Sequence, residues 1–397
     1  MIVKSLNLQR LRGTLRRFWP DFLKALSVIR RLQWKSWSPV WRKDVSSGGQ
    51  PERFTPVPHE PVALGRPWMP YLRLAAMVAV ILLAVATGVS VVNATFNPTP
   101  TEDQLKELAG LTGKQELRIG VGDDRPGLSF RKSDGDYQGF EIEIAHMIAA
   151  RLDFDPSRVA FFAVPTEERR RMQGYDAAGE LQPVDMVVAS YSITPEREAL
   201  GEVMFSAPYL ETQLSVVTLT EFRSGDSVES LGQLKEERVC TLEAGTAVSW
   251  AEESGLRDNL VKLRKIEGCI DGLIAGTFDA VVSDAALMAG WVDHHRGRLR
   301  QHNIATDEVQ RYGINVGENE ALLKLVNLAL YCSRYDPDDR QWEDAFRKHL
   351  KPLEPANHPQ QVAKPVQPSV KEPKVRRFLW EYWVDDSSSD RRRVKCD

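Results

Sequence analysis

Cysteine is scarce in this chain: four in 397 residues, at positions 240, 269, 332 and 396. None forms a CxxC or a Cys/His pair with metal-site spacing, so no zinc or redox centre is indicated and no cofactor is expected. No appended catalytic domain is legible, and no Glu/His pair accompanies the strand ends described below, so the chain does not read as an enzyme. Charge is absent from one stretch altogether, LAAMVAVILLAVATGVSVV at 74–92. Nineteen residues at about 1.5 Å each just span the hydrocarbon core of a bilayer. A buried core helix is rarely apolar on every face, so the stretch predicts one transmembrane helix.

What charge there is divides unevenly. Residues 1–73 carry fourteen Lys and Arg against four Asp and Glu, whereas the chain after residue 92 carries thirty-eight against fifty-one. An acidic body excludes a nucleic-acid footprint. The basic side of an apolar segment stays in the cytoplasm, so the body is expected outside the cell membrane. Val92-Asn93-Ala94 faintly resembles a signal-peptide cleavage site, but a basic region of some seventy residues is too long for an n-region; an uncleaved signal anchor is the expectation. No cysteine closely follows the apolar run, which excludes a lipoprotein anchor. In 1–45, Arg, Lys and Trp interleave, reading either as a basic amphipathic segment on the anionic inner leaflet or as a plain cytoplasmic tail. A Ser/Gly/Pro-rich linker completes the arm to residue 73, and 93–114 is a polar spacer.

The body alternates strands and helices. Leu117 to Val121 is a strand, FEIEIAHMIAARL (140–152) has helical spacing, and 159–164 is a strand. A helix is expected from Glu167 to Met172 and a buried strand at 186–189. A crossing strand at 214–219 follows, and the pattern restarts with a strand at 239–242, a helix at 269–275, a strand at 280–283 and a helix at 284–292. A strand at 312–316 and helices at 320–332 and 341–350 complete it. This βαβ order predicts an α/β fold with two parallel-sheet lobes. Residues 353–397 are rich in Pro and charge, interrupted by FLWEYW, and read as a tail.

Three strands end in small or polar residues just before a helix: Ser190-Tyr191-Ser192-Ile193-Thr194-Pro195-Glu196-Arg197, Glu243-Ala244-Gly245-Thr246-Ala247-Val248, and Ser283-Asp284. In open α/β sheets ligands collect beyond the carboxyl ends of strands. Each tip also has a plainer reading: Arg197 as a solvated arginine at a helix start, Gly245-Thr246 as a strand-to-helix turn, Asp284 as an N-cap. If the tips converge, they offer one fixed cation, one fixed anion and a nest of N–H groups. That set suits a zwitterion such as an amino acid.

Taken together, LRIGVGDDRPGLSF, DGDYQGFEIEIAHMIAARL, VDMVVASYSITPEREALGEVMFSAPYL, VCTLEAGTAVSW, GTFDAVVSDAALMAGW and RYGINVGENEALLKLVNLAL resemble the extracellular solute-binding proteins of polar amino-acid ABC importers. The resemblance covers residues 115–350 and implies the type II periplasmic-binding fold, with lobe one at 115–213 and about 310–352 and lobe two at about 220–309. It implies that Arg197 clamps the ligand α-carboxylate and that Ser190 and Ser192 contact the ligand's ammonium and carboxylate. Thr246 and the backbone of Ala247 would complete the carboxylate site, and Asp284 would hold the ammonium. Thr166 and Arg169 fall where glutamate- and aspartate-binding members hold the distal carboxylate, and GVGDDRPGL looks most like the glutamate branch. That branch often has a basic residue where this chain has Gly122, and Arg125 is the candidate substitute. The segment 172–183 looks like an insertion. Cys240 and Cys269 match a lobe-two disulfide of relatives.

The resemblance thus implies a membrane-anchored, extracytoplasmic binding protein for glutamate or aspartate that serves an ABC permease. The rival is a transmembrane amino-acid sensor using the same domain, favoured by the retained basic arm, although residues 1–73 hold no output domain.

Overall fold

The computed structural model describes residues 69–96, 99–304, 308–376 and 396; the arm and linker up to residue 68 and the FLWEYW run lie outside the described residues. The chain divides into two compact units, 1–78 and 79–397. The described part of the first unit is the start of helix α1 (Met69–Phe96). Leu74, Met77, Val80, Ile81, Leu82, Leu83 and Val85 of this helix are exposed.

Among the described residues, no helix is long and apolar enough to cross a membrane, so the transmembrane helix expected at 74–92 is not supported.

In the second unit Thr101 caps α2 (Glu102–Leu108) with a reciprocal capping box, its hydroxyl accepting from Gln104 N–H and Gln104 Oε1 accepting from Thr101 N–H. The first lobe then begins with β1 (Leu117–Val121) and a small hairpin layer, β2 (Asp124–Arg125), β3 (Ser129–Arg131) and β4 (Tyr137–Gln138). Helix α3 (Phe140–Arg151) buries Phe140, Ile144, Ala145 and Ile148 against the sheet. Fully burying each of its isoleucines is worth about 2–3 kcal/mol. β5 (Val159–Ala163) pairs parallel with β1.

The helix expected from Glu167 is a run of turns instead. Backbone bonds there are Glu168 N–H to Pro165 O and Arg171 N–H to Glu168 O, each three residues apart. Arg169 Nε also donates to Thr166 O, so its side chain turns inward rather than lying along a helix surface. The insertion forms an edge hairpin, β6 (Gln173–Tyr175) and β7 (Leu181–Pro183), closed by Asp176, whose carboxylate accepts from the N–H groups of Ala178 and Glu180.

β8 (Met186–Ser192) is buried at all seven positions and pairs parallel with β1. The four-residue helix α4 (Pro195–Glu198) follows, and then β9 (Leu210–Leu219) crosses between lobes. The second lobe contains β10 (Val239–Leu242), α5 (Ala247–Glu253), β11 (Leu260–Leu263), α6 (Ile266–Ile274), β12 (Ala280–Asp284), α7 (Ala285–His294) and β13 (Leu299–His302). β10 runs parallel to β11 and β12. The return crossing is β14 (Val309–Asn315).

These two long strands form the hinge. Leu210–Gln213 of β9 pair antiparallel with β14, while Leu214–Val217 pair with β12. The far end of β14 pairs antiparallel with β8. One eleven-stranded sheet therefore runs through both lobes. Cys240 and Cys269 are joined by a disulfide, as the resemblance implied, tying β10 to α6.

Helices α8 (Glu320–Tyr335), α9 (Gln341–His349) and α10 (Glu354–Asn357) complete the elements. The Pro- and charge-rich segment beyond residue 352 is not free of the body. Val362, Ala363 and Val370 are buried, Thr212 Oγ1 donates to Val362 O at 2.7 Å, and Lys364 N–H donates to Glu211 O at 2.8 Å. A second disulfide, Cys332–Cys396, was not anticipated and pins residue 396 to α8.

Candidate functional site

β8 ends at Ser192, β10 at Leu242 and β12 at Asp284, and these carboxyl ends face one narrow, nearly filled cleft. The first lobe lines it with Arg169, Ser190, Ser192 and Arg197. The second contributes Leu242, Gly245, Thr246, Ala247, Ser283, Asp284 and Leu287. Seven of the nine ligand residues expected from sequence are thus brought together. Thr166 and Arg125 are both buried but do not line the cavity.

Thr194 caps α4 by accepting from Arg197 N–H at 3.3 Å, with Pro195 at the first helical position. The Arg197 side chain folds back over the strand end. Its Nη1 donates to Ser192 O at 2.7 Å and its Nη2 reaches across the cleft to Ala244 O at 3.0 Å. Arg169 makes a parallel reach: Nη1 donates to Ser190 O at 2.9 Å and to Ala189 O at 3.2 Å, and Nη2 to Ala244 O at 3.3 Å. Both guanidinium groups lie over the Tyr191 ring, at 4.6 and 4.7 Å from its centroid.

Among the described residues neither arginine forms an ion pair with a carboxylate. Burial, with Arg197 and Arg125 as neighbouring cations, pushes Arg169 down to about 9. Burial also lowers Arg197, against the opposing pull of Tyr191 and Asp284. Both remain cations at neutral pH, and their hydrogen bonds go to neutral carbonyls. Such a pair favours an incoming anion, because an opposite charge in a dry site is attracted far more strongly than in water.

On the opposite wall Asp284 is buried and accepts from the Tyr312 hydroxyl at 2.7 Å. Burial raises its pKa, and Tyr312, Arg197, Arg169 and Arg125 pull it down. Asp284 has the extended backbone of an N-cap but makes no side-chain cap bond, so its carboxylate is turned to the cavity and the hinge rather than to α7. Thr246 donates to Gln310 Oε1 of β14 at 3.0 Å.

Gly122 explains the place of Arg125. A Cβ at residue 122 would lie 2.7 Å from Arg125 Nη1, so the Arg125 guanidinium occupies the room a side chain there would need. It donates to Ala189 O at 2.9 Å and lies 3.6 Å from Asp124, behind the cavity wall rather than on it.

The lobes also meet beside the cavity. Asp124 accepts from Ile266 N–H at 2.8 Å, Lys265 pairs with Asp123 at 2.8 Å, and Trp291 Nε1 donates to Asp124 O at 3.0 Å. At Gly290 a Cβ would fall 2.0 Å from Pro126 O, a backbone contact that only glycine permits.

Sequence reasoning missed Tyr312, Tyr191, the Ala244 carbonyl and Glu141. Glu141 is fully buried and accepts from Ser190 N–H, Ser190 Oγ, Tyr209 OH and Ser129 Oγ. A signal was present: Glu141 stands three, four and seven residues before Ile144, Ala145 and Ile148, on the apolar stripe of α3.

A family model described as bacterial extracellular solute-binding proteins, family 3, matches residues 117–331. The ABC transporter glutamine-binding protein GlnH of Bacillus subtilis is 27% identical over 284 residues, 70% of this chain and 96% of that protein. The glutamate-binding protein GluB of Corynebacterium efficiens is 24% identical over 213 residues, 51% of this chain and 69% of its own. Among solved structures, the solute receptor for L-cysteine of Neisseria gonorrhoeae is 25% identical with a TM-score of 0.55, covering 66% of this chain and 99% of that one. These relatives are binding proteins and a receptor.

Proposed function

The chain belongs to the bacterial extracellular solute-binding proteins of family 3, and we propose that it binds an acidic amino acid, glutamate before aspartate, for an ABC-type importer. One observation carries this reading: the charged groups lining the cavity are two arginines and one aspartate. A dicarboxylic amino acid carries the complement, two carboxylates and one ammonium. Arg197 takes the α-carboxylate with Thr246 and the Ala247 N–H, Asp284 takes the ammonium, and Arg169 takes the distal carboxylate. A neutral side chain would leave Arg169 without a counter-charge, and a cationic one would meet it as a like charge. The Arg169 and Arg197 bonds to Ala244 bring the lobes together, and the ligand's carboxylates would exchange with them as the hinge closes. No chemistry on the ligand is required.

The same reading holds the domain at a membrane. α1 has 28 residues, roughly 42 Å at about 1.5 Å each, more than a hydrocarbon core. Its described side chains from 73 to 88 are nearly all exposed, and most are apolar. A bilayer is the cover such a surface fits.

Calorimetric titration of the full chain in detergent with glutamate, aspartate, glutamine and arginine tests the ligand. Tight binding of arginine without glutamate would sink the assignment of Arg169. Retention in the membrane fraction after alkaline carbonate washing tests the anchor.

A further inference from the structure

The carboxylate of Glu141 is the meeting point of four donors. Its Oε1 accepts from Ser190 N–H at 2.6 Å, Ser190 Oγ at 2.8 Å and Tyr209 OH at 2.6 Å. Its Oε2 accepts from Ser129 Oγ at 2.7 Å. Two of these bonds end on a residue with unusual backbone. Ser190 has a φ of +47°, in the left-handed region that a side chain disfavours. The strand bulges at this point: Tyr191 faces Gly313 while Val187 faces Asn315, so β8 spends four steps where β14 spends two.

That turn of the chain has a use. It directs consecutive carbonyls at the arginines of the cleft: Ala189 O accepts from Arg125 and Arg169, and Ser190 O from Arg169. Two of the four bonds that place the Arg169 guanidinium therefore depend on the conformation of 189–190. Tyr209 joins the network from the hinge side, one residue before β9, and its own N–H donates to Tyr312 O.

We propose that Glu141 is a positioning residue for ligand selectivity: by holding Ser190 in the left-handed conformation it fixes Arg169, and through Arg169 it sets the preference between an acidic side chain and its amide. This rests on the reading of Arg169 given above. Glu141 does not line the cavity. It acts as a fixed acceptor, so glutamine, which retains one carbonyl oxygen and lets Ser129 rotate to accept, should serve nearly as well.

The test is the ratio of glutamate to glutamine affinity, by calorimetry on the full chain in detergent, with hydrogen exchange of the Ser190 amide as a ligand-free readout. Glu141→Ala should change the ratio at least tenfold and speed the Ser190 exchange at least tenfold. Glu141→Gln should hold the ratio within about threefold of the unsubstituted chain. Adding Ser190→Gly to Glu141→Ala should restore the ratio, because glycine takes a φ of +47° without an anchor. The proposal is overturned if folded Glu141→Ala keeps the original ratio, if Ser190→Gly fails to restore it, or if Glu141→Gln alone shifts it tenfold. That last arm stands even where Glu141→Ala does not fold. An unsubstituted chain preferring glutamine overturns the acidic-ligand reading instead, and the variant ratios still judge Glu141. If it binds neither amino acid, the acidic-ligand reading falls and unchanged Ser190 exchange in Glu141→Ala overturns the anchor.

Discussion

The hydroxyl of Tyr312 donates to the carboxylate of Asp284 at 2.7 Å, so a hinge strand steadies the acid of the second lobe. The bond favours the ionised form, while burial favours the neutral one. An ammonium ligand needs the ionised form, so affinity should fall as pH drops through the raised pKa of Asp284. Tyr312→Phe removes a donor and should push that pKa further up. The acid limb of the binding curve should then start at higher pH, with a loss of about 1–1.5 kcal/mol at neutrality. Titrations between about pH 4.5 and pH 8 check both points.

Arg197→Ala should cost about 3–5 kcal/mol of affinity, because a ligand carboxylate would be left buried without its partner. Arg197→Lys should recover only part of this, since an ammonium lacks the planar fork. Calorimetry with glutamate reads both. Equal binding by Arg197→Ala and the unsubstituted chain would place the ligand elsewhere.

Arg169→Gln should lower glutamate affinity more than glutamine affinity. It should also cost about 1–3 kcal/mol of stability, because the carbonyls of Thr166, Ala189 and Ser190 lose a buried donor. Competition binding with the two amino acids separates the selectivity effect from the stability effect.

These sites were legible because each lies at the end of a short apolar strand and beside a helix start. Ser190 to Arg197, Gly245 to Ala247 and Asp284 announce themselves locally, and a parallel sheet brings strand ends together by topology. The two-lobed architecture followed from the same alternation. Glu141 was not legible because its three partner residues lie 12, 49 and 68 residues away. The false helix at 167–172 came from good helix formers whose arginine is drawn inward by the Ala189 and Ser190 carbonyls, a tertiary pull that local preference does not contain. The packing of 353–376 escaped for the same reason, since its buried Val362 and Ala363 sit among prolines and charges.

His302 supplies an acid-stability prediction. Thr218 Oγ1 donates to Leu219 O, so the ring's Nε2–H is the donor to Thr218 at 2.8 Å, and its Nδ1 accepts from Val228 N–H at 3.2 Å. A proton on Nδ1 would face that N–H. Burial, aided by Arg300, pushes His302 down to about 4. The folded pKa lies below the unfolded value of about 6.5, so the stabilising contribution is present above about pH 6.5 and is lost as pH falls toward 4. Denaturant melts should lose about 2 kcal/mol over that window, and His302→Asn should flatten the slope.

Replacing Cys240 and Cys269 by serine opens a link spanning 29 residues. The loss expected from loop entropy is about 3–4 kcal/mol. Thermal melts with and without reductant should show a larger shift on reduction for the intact chain than for the double variant, which keeps only Cys332–Cys396.

The segment laid along β9 offers a vantage on the cleft from outside it. Lys364 N–H bonds to Glu211 O and its ammonium to the Glu211 carboxylate, on a strand that both lobes share. The same segment also holds the second lobe, where Asn357 Nδ2 donates to Ala289 O of α7, so rotation of that lobe is expected to pull on the grip at Glu211. A fluorophore placed at residue 364 would therefore brighten or dim with the jaws, making the protein its own optical gauge for whichever amino acid it holds.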